Sequence, residues 1–461
     1  MIKKMQQGTY KTLLQMGGWL LPAVFCSPGF AESIVLDFEQ AVTRAHQVDP
    51  RIAEKERLVD VARGLLEEAQ GAESWIFDVN TFLGLAPDVK GGIFENEDGE
   101  VQIEADALKF DGVSPWYNLQ FSIVLPFYTF GKSESYADAA LNNIKVKQGD
   151  VSVERANTYM DVTRAYYGYL AARDSVYLIE DANKKIEAAR ELVQSWLDEG
   201  EGSVKQSDLF ALQTGAGVLN RFLAEARGLQ KIALAGLRFL TNIEDDKTLE
   251  IADKRIEPLP LPEETLVALQ QRALASRPEL KQVEAGLSAR RALLAAKHAD
   301  KYPNLYTGVV GSFAYSPQRP RLDDIAVVDP FNHGGLTPIV GVKWDWWTGR
   351  QKASTTQAEG ELNALIEKKS FAQRGIPFQV EEQFYQVHAH HEMVQQLYEA
   401  ARAGRRWMIS SFADFEAGVE ESSKVVTAFQ GYILAYGEYL KVVNDYNLHV
   451  ARLRVVTGEI Q

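Results

Sequence analysis

From Gly131 to Gly200 the chain runs 69 residues without a proline, and only Gly149 and Gly168 interrupt its side chains. Ala, Glu, Lys, Leu and Val dominate. At about 1.5 Å per residue one helix of this length reaches roughly 100 Å. No compact domain buries such a helix end to end, so it belongs to a coiled coil or a tube. The same spacing recurs from Gly349 to Gly418, where Pro377 alone is expected to interrupt the run. Two matched rods, each entered from an aromatic segment, are the expected skeleton.

Charge and address narrow the classes. The chain carries 24% charged residues and a formal charge of −14, which argues against nucleic acid as a partner. Lys3, Lys4 and Lys11 precede an apolar stretch, and Gly29-Phe30-Ala31 offers small residues for cleavage before Glu32. Residues 1–31 therefore read as a secretory signal peptide. The only cysteine, Cys26, lies before that cut, so neither disulfides nor a thiolate metal site are expected after it. Acylation at Cys26 is the alternative, and the bulky Phe25 before it fits poorly. Beyond the leader no run of eighteen apolar residues occurs, so any membrane crossing must be a closed β-barrel.

Taken in order, the chain opens with a helical pattern at 34–47. Asp49-Pro50 ends it and starts a second at 51–71. The period then changes to two. Phe77, Val79, Leu83 and Leu85 alternate with Asp78, Asn80 and Gly84, and Tyr117, Leu119, Phe121, Ile123 and Leu125 alternate with Asn118, Gln120 and Ser122. A polar loop at 86–114 separates them. About ten residues with one apolar face suit a transmembrane barrel strand; a surface hairpin of a soluble sheet is the alternative. The rod follows, Gly200 and Gly202 break it, and a return helix runs to about Thr241. An acidic linker then carries Pro258, Pro260 and Pro262.

From Glu264 the programme restarts. At an offset of 228, Arg44, Ala45, Pro50 and Arg63 fall on Arg272, Ala273, Pro278 and Arg291. Strands near 303–315 and 336–348 flank a loop at 316–335, and the second rod and its return helix follow. The expected organisation is a leader (1–31), a first repeat (32–242), a linker (243–263) and a second repeat (264–461). In the first repeat the strands lie near 75–87 and 115–127 and the helices at 132–199 and 203–241; in the second the helices lie at 350–417 and 420–457. The fold class is mainly α with a small membrane β part. Four strands cannot close a barrel, so a cyclic oligomer must complete it, and three copies give twelve strands.

At this point the chain resembles the TolC-like outer-membrane efflux and secretion channels, over essentially the whole sequence after the leader. The carriers are Asp49-Pro50, Arg277-Pro278-Glu279-Leu280, the strand exits LPFYTFGK and WDWWTGRQ, the turns DEGEGSVKQSDL and FEAGVEESSKVVTA, and VVTGEI. The resemblance implies a homotrimer whose twelve-stranded barrel in outer-membrane lipid continues into a periplasmic α-helical tunnel. It implies an adaptor protein and an inner-membrane transporter as partners, in an efflux pump or type I secretion system. It places Gly200, Gly202, Ser203 and Gly418 in hairpin turns that meet the adaptor. The aperture positions hold Gln206, Asp208, Phe415, Glu420, Lys424 and Thr427. Where family members carry an arginine and two aspartates past the second turn this chain has Glu420, Lys424 and Thr427, so the usual acidic ring is not expected. Glu420 sits four residues before Lys424, in the order that neutralises it locally. Trp75, Trp116, Tyr117, Trp344 and Trp346 are expected as membrane-interface aromatics.

Little points to chemistry. His388, His390 and His391 lack the i,i+4 spacing of a helical metal pair and read as a solvated helix face. Asp323, Asp324 and the acidic stretch 95–100 lack EF-hand spacing. No nucleophile triad or phosphate loop occurs, so no enzyme activity and no cofactor are expected. A secreted coiled-coil fibre or adhesin is the competing class. It explains the rods and the leader but not two amphipathic hairpins in matching positions.

Overall fold

The computed structural model describes residues 33–90, 93–95, 101–103, 109–200, 204–244, 246–317, 329–345 and 348–460. The proposed leader with Cys26, together with Gly202, Ser203, Asp323, Asp324 and Trp346, lies outside them. In chain order the elements are β1 (Ser33–Leu36), α1 (Phe38–Val48), α2 (Pro50–Gly71), β2 (Ile76–Lys90), β3 (Ile93–Glu95), β4 (Val101–Ile103), β5 (Lys109–Tyr128), α3 (Lys132–Glu199) and α4 (Gln206–Thr241). They continue with β6 (Thr248–Ile251), α5 (Leu266–Ser276), α6 (Pro278–Ala299), β7 (Asn304–Tyr315), β8 (His333–Lys343), α7 (Thr348–Glu416) and α8 (Ser422–Val456).

Local chemistry sets the short helices. Asp37 accepts the amide of Gln40 at 2.7 Å while Gln40 accepts that of Asp37 at 3.1 Å, a reciprocal cap that starts α1. Asp49 both ends α1 and caps α2, taking the Arg51 amide at 2.9 Å with Pro50 at the first helical position. The helices α1 and α5 each have 11 residues, and α2 and α6 each have 22. β1 pairs in parallel with β6, tying the start of the chain to the segment after α4.

The rods are continuous. α3 has 68 residues and α7 has 69. Pro377, expected to interrupt the second rod, lies inside α7 without ending it. Ile376 and Val380, buried on either side, hold the helix in its core, and Gln270 of α5 donates to the Pro377 carbonyl at 3.2 Å. Beyond it α7 buries Val380, Val387, Val394, Ala401, Met408 and Phe415, every seventh residue. α3 answers with Ala172, Ile179, Ile186 and Val193, and α4 with Leu212, Leu219 and Ala226. A strict seven-residue repeat keeps one seam facing its partner and imposes a left-handed supercoil. One apolar core joins α1, α3, α4, α5, α6, α7 and α8 at mid-length. A second joins α3, α4, α7 and α8 towards the far end. α3 lies against α4, α6 and α8, and α7 lies against α8 and α6. This leaves α2 and α4 along one side of the array and α7 along the other.

A four-stranded antiparallel sheet in the order β2-β5-β7-β8 caps the near end of the rods. β2 and β5 run well beyond the expected strand ends, into the segment expected as polar loop, because Leu85 to Lys90 stay paired with Pro115 to Lys109. β8 lies earlier than expected, starting at His333 and ending at Lys343. At each strand boundary an aromatic ring lies over the glycine directly opposite it. The pairs are Trp116 over Gly84, Phe121 over Gly311 and Tyr306 over Gly341. A Cβ on Gly311 would sit 2.2 Å from the Phe121 ring, so the missing side chain is what lets the ring lie flat. Phe130, at φ 54, and Gly131, at φ 79, turn the sheet into α3. Phe130 holds this uncommon backbone while stacked on Tyr302, ring centroids 5.3 Å apart.

Candidate functional site

The register divides the sheet into two chemically distinct faces. Val79, Phe121 and Gly311 share one with Leu83, Tyr117, Tyr315, Leu336 and Val340, and this face is predominantly apolar, its threonines Thr81 and Thr307 each bonding a neighbouring strand's backbone carbonyl. The other carries Asp78, Asn80, Asn118, Gln120, Ser122, Ser312 and Thr337. Trp75, Tyr117 and Trp344 are exposed, Tyr117 on the apolar face and the other two at the strand ends beside the helices. Trp344 Nε1 donates to the Lys301 carbonyl at 3.1 Å. Trp116 does not belong with them. One residue from Tyr117, it points to the opposite, polar face, where its ring meets Phe82 at 4.9 Å and Phe331 at 5.2 Å. Strand parity places it there, and aromatic content alone could not show it. Phe127, Tyr128 and Phe130 of the LPFYTFGK strand exit, with Tyr302, complete the exposed aromatic group at the helix end of the sheet.

The polar face continues into the helices. A cavity of about 1710 Å³ is lined by Ser122, Tyr306 and Ile339 of the sheet and by Glu68, Tyr136, Gln282, Arg290 and Glu361 of α2, α3, α6 and α7. Its charges alternate in sign. Arg290 is paired with Glu361. Lys132 pairs with Asp300 at 3.2 Å. Beside the cavity Lys297 Nζ donates to the Tyr136 hydroxyl at 2.8 Å, a contact that raises the lysine's pKa. These charges are set among apolar side chains such as Leu65, Val146, Val283 and Leu293, so the wall is mixed, with no convergent set of groups to hold one ligand.

At the far end Gly200, at φ 70, and Gly418, at φ 74, close α3 and α7 in the left-handed conformation. Behind Gly418, Val419 N donates to Asp414 O and Gly418 N to Phe415 O, both at 2.9 Å, which satisfies the last carbonyls of α7. Gln206 starts α4, exposed. Asp208 accepts the Lys205 amide at 2.8 Å and also the Ser422 hydroxyl at 2.7 Å, so it links the two hairpin tips. Ser422 was not legible as a partner, since 214 residues separate the two.

Phe415 is 1% exposed and packs on Trp196 at 5.4 Å. Expected at an opening, it is instead sealed in the core between the hairpins. Glu420 lies before the first turn of α8 rather than within it, yet its Oε1 is 2.6 Å from Lys424 Nζ. The hydrogen bond from Lys424 holds the Glu420 carboxyl below its usual range, and the same bond raises the ammonium. Thr427 is exposed, its hydroxyl on the Ser423 carbonyl at 2.8 Å.

No group of three metal-ligating side chains occurs among the described residues. His388 and His390 each place Nδ1 2.9 Å from the carbonyl four residues before. His390 also stacks on His449 at 4.5 Å, and His449, its pKa lowered by burial, has Nδ1 3.1 Å from Gln383 Oε1. Among the described residues no helix is long and apolar enough to cross a membrane.

Solved structures share this arrangement. The chain superposes on CmeC of Campylobacter jejuni with a TM-score of 0.74 at 12% identity, covering 91% of this chain and 85% of that one. This is the fold of the TolC-like outer-membrane channels. It matches CusC with a TM-score of 0.73 at 13% identity, covering 91% and 92%. It also matches the open state of MtrE from Neisseria gonorrhoeae with a TM-score of 0.66 at 16% identity, covering 91% and 88%. Residues 269–459, most of the second half, match the outer membrane efflux protein family. No curated protein matches the chain by sequence. The family and the structural relatives are channels, not enzymes. The resemblance to TolC-like efflux channels thus rests on the family match over the second half and on the fold over nine-tenths of the chain.

Proposed function

We propose that this protein is a homotrimeric outer-membrane channel, the exit duct of a tripartite efflux pump or type I secretion system. The observation that carries the reading is the cavity wall. One face of the sheet and the inward sides of four helices line one continuous cavity in which Glu68, Ser122, Gln282, Arg290 and Glu361 are interspersed with apolar side chains, while the opposite face of the sheet is predominantly apolar. That is the division of a barrel strand between lumen and lipid.

Ring closure is supported at both edges. β2 and β8 are the unpaired edges of the sheet, and they run in opposite directions, so β8 of one copy can add to β2 of the next as another antiparallel pair. Three copies give twelve strands. The helical array carries matching apolar stripes on its two sides. Ile232 and Phe239 project from α4, the latter 82% exposed, and Phe371, Phe378 and Tyr385 project from α7 at intervals of seven. Leu237 of α4 and Val380 and Val387 of α7 share one core, so both stripes lie at the same depth. Different surfaces meeting head to tail generate a closed ring when the rotation closes. The equal lengths of α1 and α5, and of α2 and α6, fit an internal duplication. A periplasmic adaptor meets the tips near Gly200 and Gly418, and an inner-membrane transporter delivers the cargo.

The test is a pair of neighbouring substitutions read by heat-modifiable migration of the detergent-extracted trimer and by conductance in planar bilayers. Leu119→Arg puts a charge on the apolar face, costing roughly 2–4 kcal/mol per subunit near the bilayer midplane, and should abolish assembly. Gln120→Arg should assemble and conduct. Equal damage from both refutes the face assignment, and recovery of the native protein from the soluble periplasm favours a fibre.

A further inference from the structure

The polar face of the sheet is not uniform along its length. Near the helices Asp78, Asn80 and Gln120 are exposed. Towards the far end Ala86, Ser114, Asn118, Ala314 and Ser316 share that face and are at most 4% exposed, although only one protomer surrounds them. Segment 329–332 bends across this part of the face. Asn332 accepts the Ser316 amide at 2.9 Å, Asp329 accepts the Phe331 amide at 2.9 Å, and Ser316 donates to Ser114 at 2.8 Å. These bonds anchor Phe331 over Trp116, which stands edge-on to Phe82. Each wall thus carries two aromatic layers. Trp116 Nε1 and Asn118 Oδ1 are buried in this layer without a hydrogen-bond partner among the described residues.

From this we infer a second constriction at the outward end of the pore, an aromatic collar of Phe82, Trp116 and Phe331 that limits the size of solute able to pass between outside and lumen. It rests on the channel reading, because it needs the polar face to be the lumen. A twelve-stranded barrel is roughly 24 Å across at the backbone, so stacked rings reaching inward from three walls remove most of that width. The collar is built from apolar rings packed by dispersion, and the one carboxylate that holds it, that of Asp329, is 4% exposed and bonded to the Phe331 amide, so the rings select by size rather than by charge sign. It is far from the helix tips and works independently of whatever closes them.

The experiment places one thiol below the collar. Gln120→Cys, in a Cys26→Ser background that removes the only native cysteine, sits four residues nearer the helices than Trp116. Intact cells receive from outside either a small charged methanethiosulfonate or a maleimide on a polyethylene glycol sized to the open bore. The parent should react with the small reagent and not with the polymer. Phe331→Ala, which lies outside the strands and spares their pairing, should admit the polymer, and Trp116→Ala with Phe331→Ala should admit it fully. Polymer labelling already in the parent overturns the collar and leaves the channel reading intact. Exclusion from the double variant, when the trimer migrates normally, overturns it as well. An assembled Gln120→Cys trimer that reacts with neither reagent overturns the lumen assignment and the collar together.

Discussion

Phe415 gives the sharpest quantitative test of how the two hairpins hold together. Its ring is closed between Trp196 of α3 and the α7–α8 hairpin, 1% exposed and part of the core that joins all four long helices. Truncation to alanine removes a buried ring from a site whose neighbours come from separate helices and collapse only in part, so it costs about 3–5 kcal/mol. About 0.5–1.5 kcal/mol of that belongs to the pair with Trp196. With tenfold in an equilibrium for each 1.4 kcal/mol, local opening at the tip becomes roughly a hundredfold more frequent or more. Hydrogen exchange on the purified protein should show the change on both hairpins, at the end of α3 and start of α4 as well as around Gly418. Phe415→Leu, which keeps most of the volume, should cost about 1 kcal/mol. If exchange rises only in the turn that carries the substitution and α3 and α4 stay protected, Phe415 does not join the hairpins and the reasoning fails.

Glu420→Gln should shift single-channel selectivity towards anions, and Lys424→Gln the opposite way; no change in conductance, selectivity or antibiotic leak from either removes the pair from the pore. Gly308→Ala should prevent trimer assembly, since its Cβ would lie 2.2 Å from the Ile123 carbonyl oxygen and β5 and β7 would have to part, whereas Gly335→Ala meets nothing within 4 Å and should migrate as the parent does. Asp49 is expected to make the helical part acid-sensitive. Burial alone raises its pKa, but hydrogen bonds from Arg51 and Thr158 outweigh this and hold it below the usual 3.8. A lowered carboxyl stabilises the fold fully above its unfolded pKa and loses that contribution as pH falls through the folded value. The stability gap between the parent and Asp49→Asn, read by urea unfolding, should therefore be wide at pH 5 and shrink below about pH 3.8.

The rods were legible because glycine marks where a helix must end. Gly200 and Gly418 take the left-handed caps that their place after long proline-poor runs implied. Strand faces were legible from alternation, and the register keeps Leu119 and Gln120 on opposite sides. Strand lengths were not, because Asp88 and Lys90 look like loop residues yet stay paired through their backbones, which carry no side-chain signature. Trp116, expected among the interface aromatics with Tyr117, lies on the opposite face from it by parity, which residue type does not carry. The links between hairpins were hidden for another reason. Asp208 and Ser422, like Trp196 and Phe415, are more than two hundred residues apart, and neither pair follows a local spacing rule.

Both of those links lie inside one subunit, which has a mechanical meaning. The two free ends are fastened to each other before any neighbour arrives, by a carboxylate–hydroxyl bond on the outside and a ring pair within. In the proposed trimer such units would move as three blades, not six. Opening it by parting the hairpins would expose the core behind Phe415, whereas swinging each blade whole leaves that core dry and strains only the contacts between subunits. A docking partner therefore needs to grip just one point on each blade to turn the entire tip.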